Sequence, residues 1–407
     1  MISRREFMAG SVALAASTAS KRLAPEAESI LVNDVHSQLI ISIAGGRHAM
    51  GGQQFGTDTL LIDIRKLSRV LSLDRKRGII EVEAGIEWPE LIKGYLTLQN
   101  GDGQGWGIAQ KQTGADRLTI AGTIAANAHG RGLTIERRVE IRTVDDLIAT
   151  FEKRIADGFQ YGDFQFSIEQ ASDDFLHKGV FSCYRPVPMD TPIPSAEKQL
   201  TDENWRQLFY LAHTDGKQAF NRYADYYLST NGQVYWSDLH QLSVYPDNYH
   251  REIDEKLHAP YSATEMITEI NVPRPELKGF LDEVRGDFRR NRVELIYGTV
   301  RFIERDDESF LPWAKQPYAC TIFNLHTVRS PEGLGRSEYA FRRLIDMAVR
   351  CGGTYYLTYH RYATRNQVES CYPQFAEFLR LKKKYDPEER FQSDWYRYYR
   401  AMFADRL

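Results

Sequence analysis

Long apolar runs are missing from this chain, and so are paired cysteines and any surplus of charge. No stretch approaches the roughly 20 consecutive apolar residues that a membrane-spanning helix needs, so no membrane span is expected. The four cysteines, Cys183, Cys320, Cys351 and Cys371, contain no C-x-x-C pair and show no metal-ligand spacing. Buried free thiols are therefore expected, and no metal. A net charge of −3, from 52 basic and 55 acidic residues, offers no basic surplus for nucleic acid. What remains is an ordinary globular composition, 42% hydrophobic over 407 residues, long enough for two domains with a core each.

The first residues carry an address. Arg4-Arg5 precede a short, mildly apolar stretch, Ala9–Ser20, rich in Ala, Gly, Ser and Thr. This is the pattern of a twin-arginine export signal, over residues 1–22, and it implies an exported, periplasmic protein. The run is too short for a permanent transmembrane helix. Twin-arginine export carries folded proteins, which suits one that takes up a cofactor before crossing.

The most informative stretch is Ile41–Phe55, ISIAGGRHAMGGQQF. A β-branched run breaks into Gly45-Gly46, then Arg47-His48, Ala49-Met50, and a second pair, Gly51-Gly52, before Gln53. Glycines at this density let backbone N–H groups close on a bulky anion, and an arginine adds charge-assisted hydrogen bonds to phosphate oxygens. The spacing fits neither a P-loop nor a Rossmann turn. An ordinary glycine-rich turn with a solvated histidine would read the same way. A second stretch, Thr113–Leu133, reads TGADRLTIAGTIAANAHGRGL. Its small residues leave room for a flat ring or a pyrophosphate against the backbone, whereas a structural helix tolerates Gly122, Asn127 and Gly130 poorly.

Two such loops in one lobe, with strands between them, resemble the flavin-binding domain of the vanillyl-alcohol-oxidase type of FAD-linked oxidases, in the branch of aldonolactone and alditol oxidases. The resemblance implies an α+β fold: a flavin domain followed by a cap domain with an antiparallel sheet covered by helices on one side. It implies FAD bound by Gly45, Gly46, Arg47, His48, Ala49, Met50, Gly51, Gly52 and Gln53. From the second loop it adds Gly114, Asp116, Gly122, Thr123, Asn127, His129, Gly130 and Gly132. In that family the histidine matching His48 is often joined covalently to the flavin. Serine usually follows it, where this chain has Ala49. The implied partners are a small polyol or sugar lactone and an electron acceptor, oxygen or another carrier.

One departure from the family is large. After Gly132 the family's chain completes a second flavin lobe. Here residues 137–144 run within a few positions into a strand, and Asp145–Ile155 read as the helix that opens the substrate domain. The expected division is a flavin domain over 23–137, incomplete, and a cap domain over 138–407 whose C-terminal tail returns toward it. Shortening of this kind leaves open a flavin-poor, weakly active relative, or a cap that binds carbohydrate without redox activity.

Before the break, Leu60–Asp63 and Ile79–Val82 read as strands, and Trp88-Pro89-Glu90 opens a helix. After it, strands are expected over Phe159–Ile168, Lys178–Arg185, Thr268–Pro273, Arg292–Arg301, Tyr318–Thr327 and Tyr355–His360. Helices are expected over Asp202–Leu228, Pro275–Arg290, Glu338–Arg350 and Phe375–Tyr385. Three polar residues stand on or at the ends of apolar strands: Arg301, His326 and His360. Oxidation of a CH–OH carbon needs a base for the hydroxyl proton and a cation for developing negative charge. The resemblance implies that a basic residue and a histidine of the cap sheet face the flavin, which makes these three the catalytic candidates. Local hydrogen bonding within the sheet is the plainer role for either histidine.

Overall fold

The computed structural model describes residues 40–99, 105–108, 111, 117–126, 128, 134–188, 191–194, 198–236, 246 and 248–407. The expected export segment and the expected ligands Gly114, Asp116, Asn127, His129, Gly130 and Gly132 lie outside the described residues.

The first lobe is small. Strands β1 (Ile41–Ala44) and β2 (Leu60–Asp63) pair in parallel, and β3 (Val70–Asp74) forms an antiparallel hairpin with β4 (Ile79–Val82). Helix α1 (Trp88–Gln99) turns Trp88, Leu91, Ile92 and Tyr95 to one side, the spacing of a helix face, and buries them against Val70, Ile80 and Val82. The short α2 (Ile120–Ala125) begins at Thr119, whose hydroxyl accepts the Gly122 N–H. The far end of the chain completes this lobe. Ile41 N–H donates to the Arg390 carbonyl at 2.7 Å and Gln392 N–H to the Ile41 carbonyl at 2.8 Å, so Phe391 lies parallel to β1.

The second lobe is built on one antiparallel sheet in the order β12-β9-β11-β10-β6-β7-β5-β8. Its strands are β5 (Thr134–Thr143), β6 (Tyr161–Phe166), β7 (Lys178–Pro186), β8 (Val234–Trp236), β9 (Ala263–Pro273), β10 (Leu295–Ile303), β11 (Tyr318–Val328) and β12 (Thr354–Tyr355). Since β5 pairs with β7 from Ile135 to Thr143, one strand runs across the expected 137/138 boundary. The sheet domain therefore begins by Thr134. Alternation along each strand sends Phe164, Phe166, Phe181, Ile270, Val272, Val300, Phe323 and Leu325 into the main core.

Helices α3 (Val144–Ala156), α7 (Leu277–Asn291) and α8 (Pro331–Arg350) cover that face, followed by α9 (Arg365–Cys371), α10 (Phe375–Tyr385) and α11 (Asp394–Met402). Phe280, Leu281, Val284 and Phe288 line up on α7, each contributing about 2 kcal/mol by leaving water. The helix expected from Asp145 starts one residue earlier. Thr143 is its cap, in a capping box with Asp146.

Two expectations fail in instructive ways. The helix expected over Asp202–Leu228 is two helices, α4 (Asp202–Thr214) and α5 (Gly216–Ser229). Asp215 ends the first and caps the second by accepting the Gln218 N–H at 2.9 Å. Folded back this way, the pair reaches the sheet's other face, where Tyr223, Ala224 and Tyr227 pack on Val139 and Val180. The sheet is therefore covered by helices on both faces, not one. The strand expected over Tyr355–His360 shrinks to Thr354–Tyr355, and residues 356–360 become a loop.

Candidate active site

The glycine loop after β1 is packed on residues 117–119. A Cβ on Gly45 would meet the Thr119 hydroxyl at 2.2 Å, and one on Gly46 the Arg117 carbonyl at 2.1 Å. No side chain fits there, so the loop presents backbone. Arg47 adopts a left-handed φ of 61° and pairs with Asp63 at 3.1 Å. Asp63 is held at about 2 by its hydrogen bonds from Arg65, with Arg47 adding. His48 is exposed, and its Nε2 lies 2.9 Å from the Arg117 carbonyl. Among the described residues, the N–H groups of positions 46–50 make no hydrogen bond. A run of unpaired amides in a turn is a ready anion cradle.

The loop's far side is clamped to the cap. Gly51 N–H and the Gln53 amide donate to the Thr358 carbonyl at 3.2 and 3.1 Å, and Trp395 N–H donates to the Gly52 carbonyl at 3.4 Å. Ala49 accepts from Gln54 at 2.8 Å, and Met50 is exposed. The second loop reaches the same segment, since the Tyr356 hydroxyl donates to the Ala126 carbonyl at the end of α2. Gly122 and Thr123 lie on α2 itself, where the Thr123 hydroxyl donates to the Thr119 carbonyl at 3.0 Å.

Residues 356–359 also border a buried polar cluster on the sheet. Arg301 faces away from the main core, in register with Cys320. Burial opposes its charge, but Tyr297, Glu269, Cys320 and Asp163 outweigh that and raise its pKa, so it stays a cation. Its Nε has no hydrogen-bond partner among the described residues. Glu269, 2% exposed, accepts the Tyr359 hydroxyl at 2.9 Å on one oxygen and the Cys320 thiol at 3.8 Å on the other. Burial, reinforced by Glu269, pushes both Tyr359 and Cys320 well above their ordinary pKa, which keeps them protonated donors. Beside Tyr297 and Gln165 a cavity of about 70 Å³ opens under α4 and α5, lined by Trp205, Leu208, Phe209 and Phe220.

The three catalytic candidates do not meet. His326 is six residues beyond Cys320 on β11, about 20 Å along the strand from Arg301's partner. It lies near His213 and His250, which burial holds neutral by lowering them to about 4. His360 is on the opposite side of the sheet, in the core. Its Nε2 is 3.2 Å from the Thr268 hydroxyl, Nδ1 accepts the Tyr362 N–H at 3.4 Å, and the ring stacks on Phe341 at 4.4 Å. Burial lowers it to about 3, so it is a neutral packing residue and not a base. The sequence reading missed Glu269 and Tyr359. Its one signal was a carboxylate inside an apolar strand, in Thr268-Glu269-Ile270, where burial demands a partner.

With this geometry in view, the comparisons with known proteins fall into place. Residues 32–145 match the FAD binding domain family, and residues 190–399, more than half the chain, match the family described as D-arabinono-1,4-lactone oxidase. The chain belongs to the D-arabinono-1,4-lactone oxidase family. It is an FAD-linked oxidase acting on alcohol or lactone CH–OH donors. A search of curated proteins found no match. Among solved structures, a solvent-stable cholesterol oxidase is similar in fold, with a TM-score of 0.61 and 12% identity over 88% of this chain and 90% of that one. A VAO-type flavoprotein from Myceliophthora thermophila aligns with a TM-score of 0.48 and 14% identity, over 88% and 75%. The expected flavin fold and FAD cofactor thus hold. The residues present fit the group: an open run of amides at 46–50 suits a pyrophosphate, and a buried cation with an unpaired Nε stands across residues 356–359 from it.

Proposed function

We propose that this family member oxidises a CH–OH carbon of a sugar-derived alcohol or aldonolactone between the glycine loop and the Arg301 cluster, with oxygen as the final acceptor. The observation that carries the reading is the convergence on residues 356–359. The loop amide of Gly51, the α2 end at Ala126 and the buried Glu269 all bond to this one segment. FAD, when bound, would supply the hydride acceptor. The amides of 46–50 would hold its pyrophosphate, and His48 would be the residue for a covalent link, its Nδ1 being left over because Nε2 engages the Arg117 carbonyl. Arg301 stabilises negative charge developing on the substrate oxygen, and Glu269, oriented by Tyr359, takes the hydroxyl proton.

Removing one charge-stabilising donor from a dry site costs about 10²–10³ in rate. Arg301→Lys, which keeps the charge but not the fork, and Arg301→Ala are both expected to lower turnover by that order while flavin content stays within twofold. Normal turnover in either flavinated variant counts against the assignment.

A specific observation favours a second reading of the substrate. The cavity beside Tyr297 is walled by Trp205, Leu208, Phe209, Phe220 and Ile296, which suits an alcohol with an apolar arm better than a bare polyol. Relative kcat/KM for polyols and for apolar secondary alcohols separates the two. The first lobe remains a shortened flavin domain in this reading. Only residues 126–133 separate α2 from β5, and Ile43 and Leu61 stay on an exposed sheet face. Weaker retention of FAD follows, and the visible spectrum of the purified protein reads it directly.

A further inference from the structure

The sheet face that carries Arg301 holds a second buried polar cluster at the far end of its strands. Helix α6 (Tyr249–Lys256) brings His250 there, α4 brings His213, β9 brings Glu265 and β11 brings His326. The ring centroids are 5.1 Å apart for His213 and His326, 5.9 Å for His213 and His250, and 6.3 Å for His250 and His326. One Glu265 oxygen is satisfied, accepting the Tyr249 hydroxyl at 2.7 Å and the Asn324 amide at 3.0 Å. The other accepts no hydrogen bond among the described residues. It lies 3.7 Å from His213 Nε2 and 3.5 Å from His250 Nε2.

The tautomer of His213 sharpens the problem. Its Nδ1 is 2.8 Å from the Phe209 carbonyl, which can only accept, so Nδ1 carries the hydrogen and Nε2 a bare lone pair. That lone pair faces a carboxylate oxygen. Two acceptors turned toward each other in a buried site repel. Both nitrogens of His250 and Nδ1 of His326 also lack hydrogen-bond partners among the described residues. Buried polar atoms are normally paired, and leaving one bare is destabilising. Here five such atoms, on four side chains from four elements, gather in one place.

A divalent ion would engage four of these five atoms, one from each side chain. Tetrahedral zinc holds nitrogen and oxygen ligands at about 2.0–2.1 Å, which sets neighbouring ligand atoms about 3.4 Å apart and the centroids of two imidazole ligands about 5.2 Å apart. The N–O separations of 3.5 and 3.7 Å bring His250 and His213 close to that spacing around Glu265, and His326 approaches through His213, at a centroid separation of 5.1 Å, while standing 6.3 Å from His250. As placed, no group of three or more such side chains among the described residues is close enough to hold an ion, so binding requires the rings to move inward. His213 has the supporting bond of a metal ligand, its second ring N–H donated to the Phe209 carbonyl. Three imidazoles and one carboxylate suit zinc and not magnesium or calcium, which prefer oxygen.

We propose that His213, His250, His326 and Glu265 form a closed zinc site that fastens α4 and α6 to the sheet. With four protein ligands it leaves no open position, so its role is structural. Since α4 also carries Trp205, Leu208 and Phe209, the ion holds the wall of the cavity beside Tyr297.

The test reads metal, not turnover. Full-length protein stripped with a chelator and then supplied with Zn²⁺ is expected to retain one ion per chain and to melt at a higher temperature. His250→Ala, at the partly exposed rim of the cluster, and Glu265→Gln should each weaken Zn²⁺ affinity by at least about tenfold, judged against the 10–100-fold cost of losing mere supporting residues. His177→Ala, whose ring pairs with Asp145 elsewhere, should leave it unchanged. Wild-type protein that retains no Zn²⁺ overturns the proposal. So does folded His250→Ala, checked by circular dichroism, with wild-type affinity. Zinc content is read whether or not FAD is bound, so this outcome is independent of the redox reading.

Discussion

Placing His360 in the core has a measurable consequence that a catalytic histidine would not share. An exposed histidine takes a proton near pH 6.5, but burial lowers His360 to about 3. The unfolded chain therefore binds this proton over a pH range where the folded chain does not. The contribution of a neutral His360 is fully present above pH 6.5 and is lost as pH falls toward 3. At 1.36 kcal/mol per unit the complete loss is about 5 kcal/mol, of which about 2–3 kcal/mol falls between pH 7.5 and 4.5. His360→Gln removes the titration. It also costs packing against Phe341, but that cost is the same at both pH values and cancels. Urea unfolding, followed by far-ultraviolet circular dichroism at pH 7.5 and 4.5, should show the wild type losing about 2–3 kcal/mol more than the variant. Turnover per bound flavin should be unchanged in His360→Gln. Equal acid sensitivity in the two proteins, or lost turnover in a folded, flavinated variant, refutes the placement.

Two further outcomes follow from the same geometry. If FAD is linked through His48, acid-precipitated protein keeps its yellow colour and His48→Ala releases it, whereas free flavin from the wild type shows that the link is absent. The thiols of Cys183, Cys320 and Cys371 are buried and Cys351 is half-buried, and Cys371 is pushed up to about 12 by its burial. A thiol reagent should therefore modify no more than one cysteine quickly in native protein and four after unfolding; fast modification of two or more contradicts the packing.

The glycine loops were legible because their signal is local. A run such as Gly45-Gly46-Arg47-His48 states its backbone needs in its own residues, and the close approach of Thr119 and Arg117 is what those glycines admit. Helices with a continuous apolar face, such as α7 and α10, were legible for the same reason. What the sequence hid is which side of a strand each polar residue takes and how far apart two strand positions fall. Arg301 and His326 both read as strand polar residues near a cleft, yet the register that sets Arg301 opposite Cys320 carries His326 far down the strand. The split of the long helix at Asp215 was equally hidden, because Asp215-Gly216 interrupts the pattern without removing its apolar spacing. The histidine cluster could not be read at all. His213, His250 and His326 share no spacing, and only the folding of α4 and α6 onto the sheet brings them together.

Glu265 and Glu269 show how one strand solves a single problem twice. They are four residues apart on the same face of β9, about 13 Å along the strand, and both are almost wholly buried. A buried carboxylate is costly unless it is paired or neutralised. Glu269 has the Arg301 cation nearby and the protonated donors Tyr359 and Cys320 on its two oxygens. Among the described residues Glu265 has donors on one oxygen only, Tyr249 and Asn324, and no lysine or arginine pairs with it. Its second oxygen is left bare in a buried site. A proton can serve only one of the two imidazole nitrogens that face its bare oxygen, and His326 Nδ1 would still be unpaired. A divalent ion serves all of them at once and supplies the positive charge that Arg301 provides at the other site. The two ends of β9 thus differ in the source of their cation: at Glu269 it is built into the chain, and at Glu265 it must come from outside.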